Sequence, residues 1–469
     1  MRGVREGSRA ALRLAEGAAL RDVIDTGDAS AWLWLDEGVR TDEWYFVPYT
    51  VPSWEETPGG RSLTAALHAD GPLTEGQLAL ALCHRDGRIR YRALGRVTGR
   101  PALLPLVVVR CADWAQPVRE RARKRLAEAL DAETAARLAP LVRRLADRHR
   151  GDHALGLLGE VLRKAPGERL APLLTSPDRP VRRFAYGLAV EEGLLSAVEL
   201  ARAAAGDDDA VVQTLCSEAA LAAVAEEDAE EVLGALLGAR SPRARSAGVT
   251  ALRRLGRPDR AIGFLADRSA LVRACARYVV RQYGTDPLPW YRDRCADPGD
   301  PALPPGAAIG LAECGTRADA GLLWPLLDHP APGVRAKAVA GLRSLDVTDV
   351  PRMLRLLDDP APGVVGEATL ALLPSAGLLP EAWLAERLAA GRPRWVRVSA
   401  YRLLDARGGV VRLRAAVALL ADADERLRTR AELTVRWAGP WGPDAEVAEL
   451  LARARSHLGR GAPVPAQDS

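Results

Sequence analysis

Residues 328–345 read Asp328-His329-Pro330-Ala331-Pro332-Gly333-Val334-Arg335-Ala336-Lys337-Ala338-Val339-Ala340-Gly341-Leu342-Arg343-Ser344-Leu345. Val334, Ala338, Leu342 and Leu345 fall on one side of an α-helix, because their spacing follows its period of about 3.6 residues. The turn before Val334 carries two prolines, an aspartate and a glycine, which stop one helix and start the next. Upstream, Ala320–Leu327 reads as the first helix, with Pro325 near its end. Residues 320–345 therefore predict a helical hairpin whose second helix opens at Val334.

The same grammar recurs along the chain. Apolar anchors stand at Ile89, Val118, Val181, Val212, Ala244, Val272, Leu303, Val334, Val364, Val396 and Leu427. A small residue follows each by four: Ala93, Ala122, Ala185, Cys216, Gly248, Ala276, Ala307, Ala338, Ala368, Ala400 and Ala431. The gap between Val118 and Val181 is two periods wide, and Arg150, Ala154, Leu157, Leu158 and Val161 fill it as a degenerate unit. A period of about 31 residues means stacked supersecondary units, each leaning on its neighbours. An arginine follows the anchor at Arg90, Arg119, Arg182, Arg245, Arg273, Arg335, Arg397 and Arg428. An aspartate precedes it by five at Asp113, Asp207, Asp267, Asp359 and Asp422.

These turns, of which Asp328-x-Pro330-x-x-Gly333-Val334-Arg335 and Asp359-Pro360-x-x-Gly363-Val364 are the clearest, resemble the HEAT-repeat superfamily, in its short bacterial HEAT-like (phycobilisome-lyase-type) form. The resemblance covers roughly residues 61–440 and implies an all-α fold, a right-handed α-α superhelix (HEAT-like, armadillo-like solenoid) of about twelve helical hairpins. It also implies that the Asp and Arg residues link neighbouring turns. Gln213, Pro304 and Val365 depart from the pattern, so the ladder is expected to weaken there, with a bend near Pro301, Pro304 and Pro305.

Three segments are expected: an aromatic-rich cap over 1–60, the solenoid over 61–455 and a disordered tail over 456–469. The cap holds Trp32, Trp34, Trp44, Tyr45, Phe46, Tyr49 and Trp54, and would cover the open apolar face of the first repeat. Met1–Leu20 has no continuous apolar stretch, and the run Leu103–Val109 is broken by Pro105 and too short to cross a bilayer. A cytoplasmic location without a membrane partner is expected. The six cysteines are widely separated, without a CxxC, and read as small buried hydrophobes. The scarcity of lysine (only Lys124, Lys164 and Lys337) is read as coding bias in preference to phosphate recognition.

No nucleophile elbow, phosphate-cradling loop or HExxH motif is present. His149 and His153 have i,i+4 spacing, but Gly151 interrupts them and further zinc ligands are missing. No His-Glu dipeptide occurs, which argues against the di-iron hydroxylases of similar build. No cofactor and no metal site are expected. Trp114, Trp290, Trp324, Trp383 and Trp395 leave a repair-glycosylase or lyase-like reading as an enzymatic alternative.

Charge is segregated. Residues 110–183 carry 17 basic and 10 acidic side chains, 191–236 carry one and 12, and 240–281 carry 11 and two. Adjacent repeats of opposite sign either neutralise each other or face partners. If second helices line the concave face, outward positions select Arg121, Arg123, Lys124, Arg183, Phe184, Arg277, Tyr278, Tyr401 and Arg402 as partner-binding residues. The leading reading is a non-catalytic scaffold or adaptor that binds a protein partner. A nucleic-acid-binding solenoid is the alternative, opposed by the acidic block that would interrupt a polyanion track.

Overall fold

The computed structural model describes residues 2–40, 53–69, 71–437, 439, 441 and 444–458. These residues contain α- and 3-10 helices and no strand. They divide into two compact units, residues 1–244 and 245–469. Each is a succession of helical hairpins, as the repeat predicts.

In the first unit, α1 (Arg2–Ala15) and α2 (Ala29–Arg40) pack on each other. They cross so closely that a Cβ on Gly38 would lie 2.3 Å from the backbone of Gly7, so glycine is needed at the crossing. The hairpin α3 (Glu75–Cys83) and α4 (Gly87–Leu94) follows, then α5 (Leu104–Arg110) and α6 (Gln116–Ala129). The degenerate unit is a true hairpin of α7 (Ala132–Ala146) and α8 (Asp152–Arg163), with Ala154, Leu158 and Leu162 buried. Next come α9 (Arg179–Glu191), α10 (Ala197–Gly206) and α11 (Ala210–Ala223). Trp32 and Trp54 of the expected cap lie in the same hydrophobic core as the following helices. Trp44, Tyr45, Phe46 and Tyr49 lie outside the described residues.

The second unit runs through α12 (Ala270–Gln282), α13 (Pro305–Cys314), α14 (Pro332–Ser344), α15 (Pro362–Leu372), α16 (Arg394–Ala406), α17 (Gly409–Leu419), α18 (Glu425–Trp437) and α19 (Ala445–Leu458). Here α13, α14, α15 and α16 pack in series. The helix at Val334 starts two residues earlier than its anchor, because Pro332 suits a first helical turn that needs no backbone donor. Residues 456–458 of the expected tail belong to α19, which continues through Leu458; the rest of that segment lies outside the described residues.

One polar device repeats through both units. At most repeats, though not where Ala239, Pro298 and Gly391 offer no side-chain acceptor, the side chain five before the anchor accepts a hydrogen bond from the backbone N–H two positions on, forming an Asx-type turn. Asp113 does so from Ala115, Asp207 from Asp209, Asp267 from Ser269, Asp359 from Ala361 and Asp422 from Asp424. Histidine substitutes at His84 and His329, whose Nδ1 accepts from Asp86 and Ala331. That leaves Nε2 as the donor, and in His329 it reaches the carbonyl of Asp300 in the preceding turn at 2.9 Å.

The arginine after the anchor then staples two turns. One Nη1–H donates to carbonyls of its own turn, as in Arg90 to His84 and Arg335 to His329, both at 2.8 Å. The other side of the guanidinium grips the next turn's aspartate with two parallel bonds. Arg90 holds Asp113 at 2.8 and 2.8 Å, Arg182 holds Asp207 at 2.9 and 3.0 Å, Arg245 holds Asp267 at 3.0 and 2.9 Å, and Arg335 holds Asp359 at 2.8 and 2.8 Å. Arg397 pairs with Asp422 in the same register. This matches the linking role that the family resemblance implies.

The departures show how the ladder survives substitution. Gln213 still donates to its own turn at the Asp207 carbonyl, and its Oε1 accepts from Ser241 at 2.6 Å. Arg273 meets Pro298 at the ladder position of the turn that follows, five before Leu303, and takes Glu313 on α13 instead, with Nε at 3.0 Å. Val365 exchanges the link for full burial.

Candidate functional site

The nine residues selected on the second helices do not form one surface. In the first unit, Arg183 is exposed but turned onto Asp209, with bonds of 2.9 and 2.7 Å. Asp209 also accepts from the backbone of Val211 and Val212, so it ties α9 to the start of α11. The Arg183 bond, ahead of those backbone bonds, brings the Asp209 carboxyl down to about 2. Phe184 packs against the hydrophobic core. In the second unit, Arg277 is buried, bonded to Glu313 at 2.6 Å and within 3.5 Å of the Tyr291 hydroxyl. Tyr401 is fully buried, its hydroxyl donating to Thr434 Oγ1 at 2.8 Å.

The outward assignment therefore fails at Phe184, Arg277 and Tyr401, and Arg183, though exposed, is taken up by Asp209. A residue five past the anchor lies about 140° round the helix, on the flank against the following hairpin and not opposite the core. Arg277 meets α13 there, and Tyr401 meets α18. Six past the anchor, Lys124 and Tyr278 are exposed and Arg402 is half-buried. Arg253 lies 5.8 Å from the Tyr278 ring.

Pairing also accounts for much of the charge segregation. Arg179 and Arg182 both pair with Asp208, and Arg202 pairs with Glu231. The acidic run Asp207-Asp208-Asp209 is thus taken up by the arginines of the preceding hairpin.

Arg121, Arg123 and Lys124 remain together on α6, and each side of that helix opens onto a depression. On the α4 side lies a groove of about 540 Å³ bordered by Arg88, Tyr91, Arg92, Trp114 and Pro117, with Asp86 its one carboxylate. Tyr91 is 42% exposed and Trp114 67%, unusual for rings of this size. Both are held by cations: Arg121 stacks on Tyr91 at 4.4 Å, and Arg90 lies 5.6 Å from the Trp114 ring. Tyr91 follows Ile89 by two residues on α4, and Trp114 directly follows the ladder aspartate Asp113. The ladder thereby fixes the backbone that carries the tryptophan.

On the α8 side, Arg123 donates through Nε to the carbonyl of Cys111 at 3.2 Å and borders a second depression of about 490 Å³. Arg148, His149, Arg150, Asp152 and His153 complete it. Partial burial and then the Arg123 charge hold the His153 imidazole below its ordinary value. His149 stands in the turn and His153 on α8, so the two do not share a helix face. Among the described residues no group of three or more His, Cys, Asp or Glu is placed to hold a metal ion.

Tyr91, Arg148 and Arg150 escape the sequence reading. Tyr91 sits at an outward position of the first repeat, and that position would have exposed it as a candidate. Burial pushes the thiols of Cys111, Cys216 and Cys295 up to about 12, which leaves them protonated and unreactive as nucleophiles at neutral pH.

No family model matches the chain, and no curated protein matches it. Among solved structures it is similar to importin beta crystallised in an ammonium sulfate condition, at 13% identity and a TM-score of 0.34, over 96% of this chain and 75% of that one. It is also similar to Kap121p bound to Pho4p, at 14% identity and a TM-score of 0.30, over 85% of this chain. The match spans half the length of Kap121p. Yeast importin-beta (Kap95p) gives 12% identity and a TM-score of 0.28, over 98% of this chain and 69% of that one.

Proposed function

We propose that the chain is a non-catalytic HEAT-like scaffold, an adaptor in a bacterial cytoplasm, that binds a protein partner through the groove between α4 and α6. The observation that carries this reading is the pair of exposed rings, Tyr91 and Trp114, set among Arg88, Arg92 and Arg121. Large aromatics on a rigid floor give contact area at little entropic cost, and such residues dominate the affinity of protein interfaces. The guanidiniums around them select acidic character. The occupant is therefore a protein segment that presents an apolar side chain flanked by Asp or Glu. Lys124 widens the basic rim on the same helix.

The test compares affinity capture from a bacterial lysate by the intact chain and by a Tyr91→Ala/Trp114→Ala variant, with and without nuclease and at two salt concentrations. A protein that is retained after nuclease treatment and lost with the variant supports the reading, provided the thermal midpoint is unchanged. Recovery of nucleic acid that disappears with salt overturns it in favour of a polyanion site. Equal capture by the variant moves the contact away from this groove.

A further inference from the structure

We propose that the depression between α6 and the α7–α8 turn is a binding site for a phosphomonoester. Three guanidiniums and two imidazoles border it, against the single carboxylate of Asp152. The guanidiniums arrive from two elements: Arg123 from α6, and Arg148 and Arg150 from the turn that begins α8.

The contrast with the rest of the chain is what gives this cluster meaning. Five past the anchor in the repeat at Val272, Arg277 reaches Glu313 of the following hairpin. At the equivalent position Arg123 donates to the Cys111 carbonyl in place of a carboxylate and shares the depression with Arg148 and Arg150. The ladder arginines Arg90, Arg182, Arg245, Arg335 and Arg397 each hold an aspartate. Among the described residues, Arg148 and Arg150 form no ion pair or hydrogen bond through their side chains. Arg148, His149 and Arg150 are exposed, so their charges lie open to a ligand and are satisfied by solvent until one arrives.

The backbone points the same way. Arg150 has φ +69°, a left-handed conformation that an arginine adopts at a cost. Gly151, next to it, is fixed by close packing: a Cβ there would lie 1.8 Å from the Leu145 carbonyl oxygen. Glycine at 150 would relieve the strain, yet the chain places a guanidinium there, at the mouth of the depression. The N-terminus of the 12-residue α8 opens onto the same space and carries no side-chain cap.

The charge suits one phosphate group. A phosphomonoester carries about −1.5 to −2 near neutral pH and three acceptor oxygens, which planar guanidiniums meet in pairs. A nucleic acid would need a continuing basic track. In the next hairpin Arg179, Arg182 and Arg183 are already occupied by Asp207, Asp208 and Asp209.

The test titrates the full chain with a short phosphoserine peptide, the same peptide bearing serine, inorganic phosphate and a single-stranded oligonucleotide. Saturable binding of the phosphoserine peptide and of phosphate, absent for the serine peptide, is expected. Tighter binding of the peptide than of phosphate identifies a protein-borne source, and the reverse order a free anion. Arg148→Gln/Arg150→Gln should weaken it by at least about tenfold, as the loss of charge-assisted hydrogen bonds implies. Arg150→Gly should weaken it too while holding or raising the thermal midpoint, which separates loss of a ligand contact from loss of fold. Tyr91→Ala/Trp114→Ala should leave phosphate binding intact, so this site and the aromatic groove succeed or fail separately. Absence of saturable binding, or affinity unchanged in the arginine variants, overturns the proposal. So does oligonucleotide binding whose salt slope reports more than about two released counterions.

Discussion

Asp113 sits between two guanidiniums, and its loss leaves Arg90 without an anion and Arg110 with Asp36 alone. Arg90 holds it with two bonds, and Arg110 adds a third at 3.0 Å. Arg110 also pairs with Asp36 of α2, which bonds Arg40 at 3.0 Å, so one buried network joins the N-terminal helices to the first repeats. Replacing Asp113 by Asn should destabilise the first unit by about 3–5 kcal/mol, measured by urea unfolding, since removing one member strands buried charge. By contrast Arg317→Ala, which breaks the exposed pair with Asp346, should cost under about 1 kcal/mol. Asp209 makes a pH-dependent case. Its carboxyl is depressed in the folded chain from the ordinary 3.8 to about 2. The stabilisation is therefore complete above pH 3.8 and fades as pH falls through 2. Arg183→Gln should unfold more easily than the parent at pH 5, and acid titration followed by circular dichroism should show that difference closing towards pH 2. The Arg90–Asp113 link was legible in the sequence because both partners keep fixed offsets from their anchors. Arg110 and Asp36 were not, because they belong to no repeat position.

Each hairpin owes its start and stop to local chemistry, and this is the level at which the sequence reads best. The stripe of Val334, Ala338 and Leu342 is buried as expected; in the degenerate unit Ala154 and Leu158 are buried as expected, Leu157 and Val161 only half, and Leu162 completes the buried face. Leu158→Ala should cost about 2–5 kcal/mol in thermal or denaturant unfolding, as for other core positions, confirming that α8 is an integral hairpin helix. The flanks were less legible. Whether the fifth residue past an anchor is buried depends on the following hairpin, as Glu313 and Thr434 show, and a single helix's periodicity carries no trace of that. The uncharged rung at Gln213, which Ser241 completes, permits a test of the ladder grammar. Gln213→Arg alone should destabilise the chain, because the new guanidinium finds no carboxylate in the next turn. Adding Ala239→Asp, five before the anchor Ala244, should restore stability. The coupling expected from a double-mutant cycle is about 0.5–3 kcal/mol.

At the scale of the chain, charge that looked like a signal for partners is in good part internal. The basic side of α9 and the acidic turn after α10 cancel through Arg179, Arg182 and Arg183. Several of these pairs are exposed, as Arg179–Asp208 and Arg202–Glu231 are, so screening reaches them. Moving from low salt to about 1 M sodium chloride, where the Debye length falls to about 3 Å, should lower the unfolding midpoint of the first unit slightly. A rise would show that repulsion within the blocks outweighs attraction between them. What survived as a candidate surface is a stretch around α6 where, among the described residues, Arg148 and Arg150 remain without a carboxylate partner, and composition alone could not separate paired from unpaired arginines. The staples have a direction as well: each arginine precedes its aspartate by 22 to 25 residues, as from Arg245 to Asp267 and from Arg397 to Asp422. On the ribosome the guanidinium is made first and waits about 1–5 s for its carboxylate at ordinary synthesis rates. The nascent chain therefore locks one hairpin behind the point of elongation, and a pause placed between an arginine and its aspartate leaves the newest turn open to chaperones and proteases.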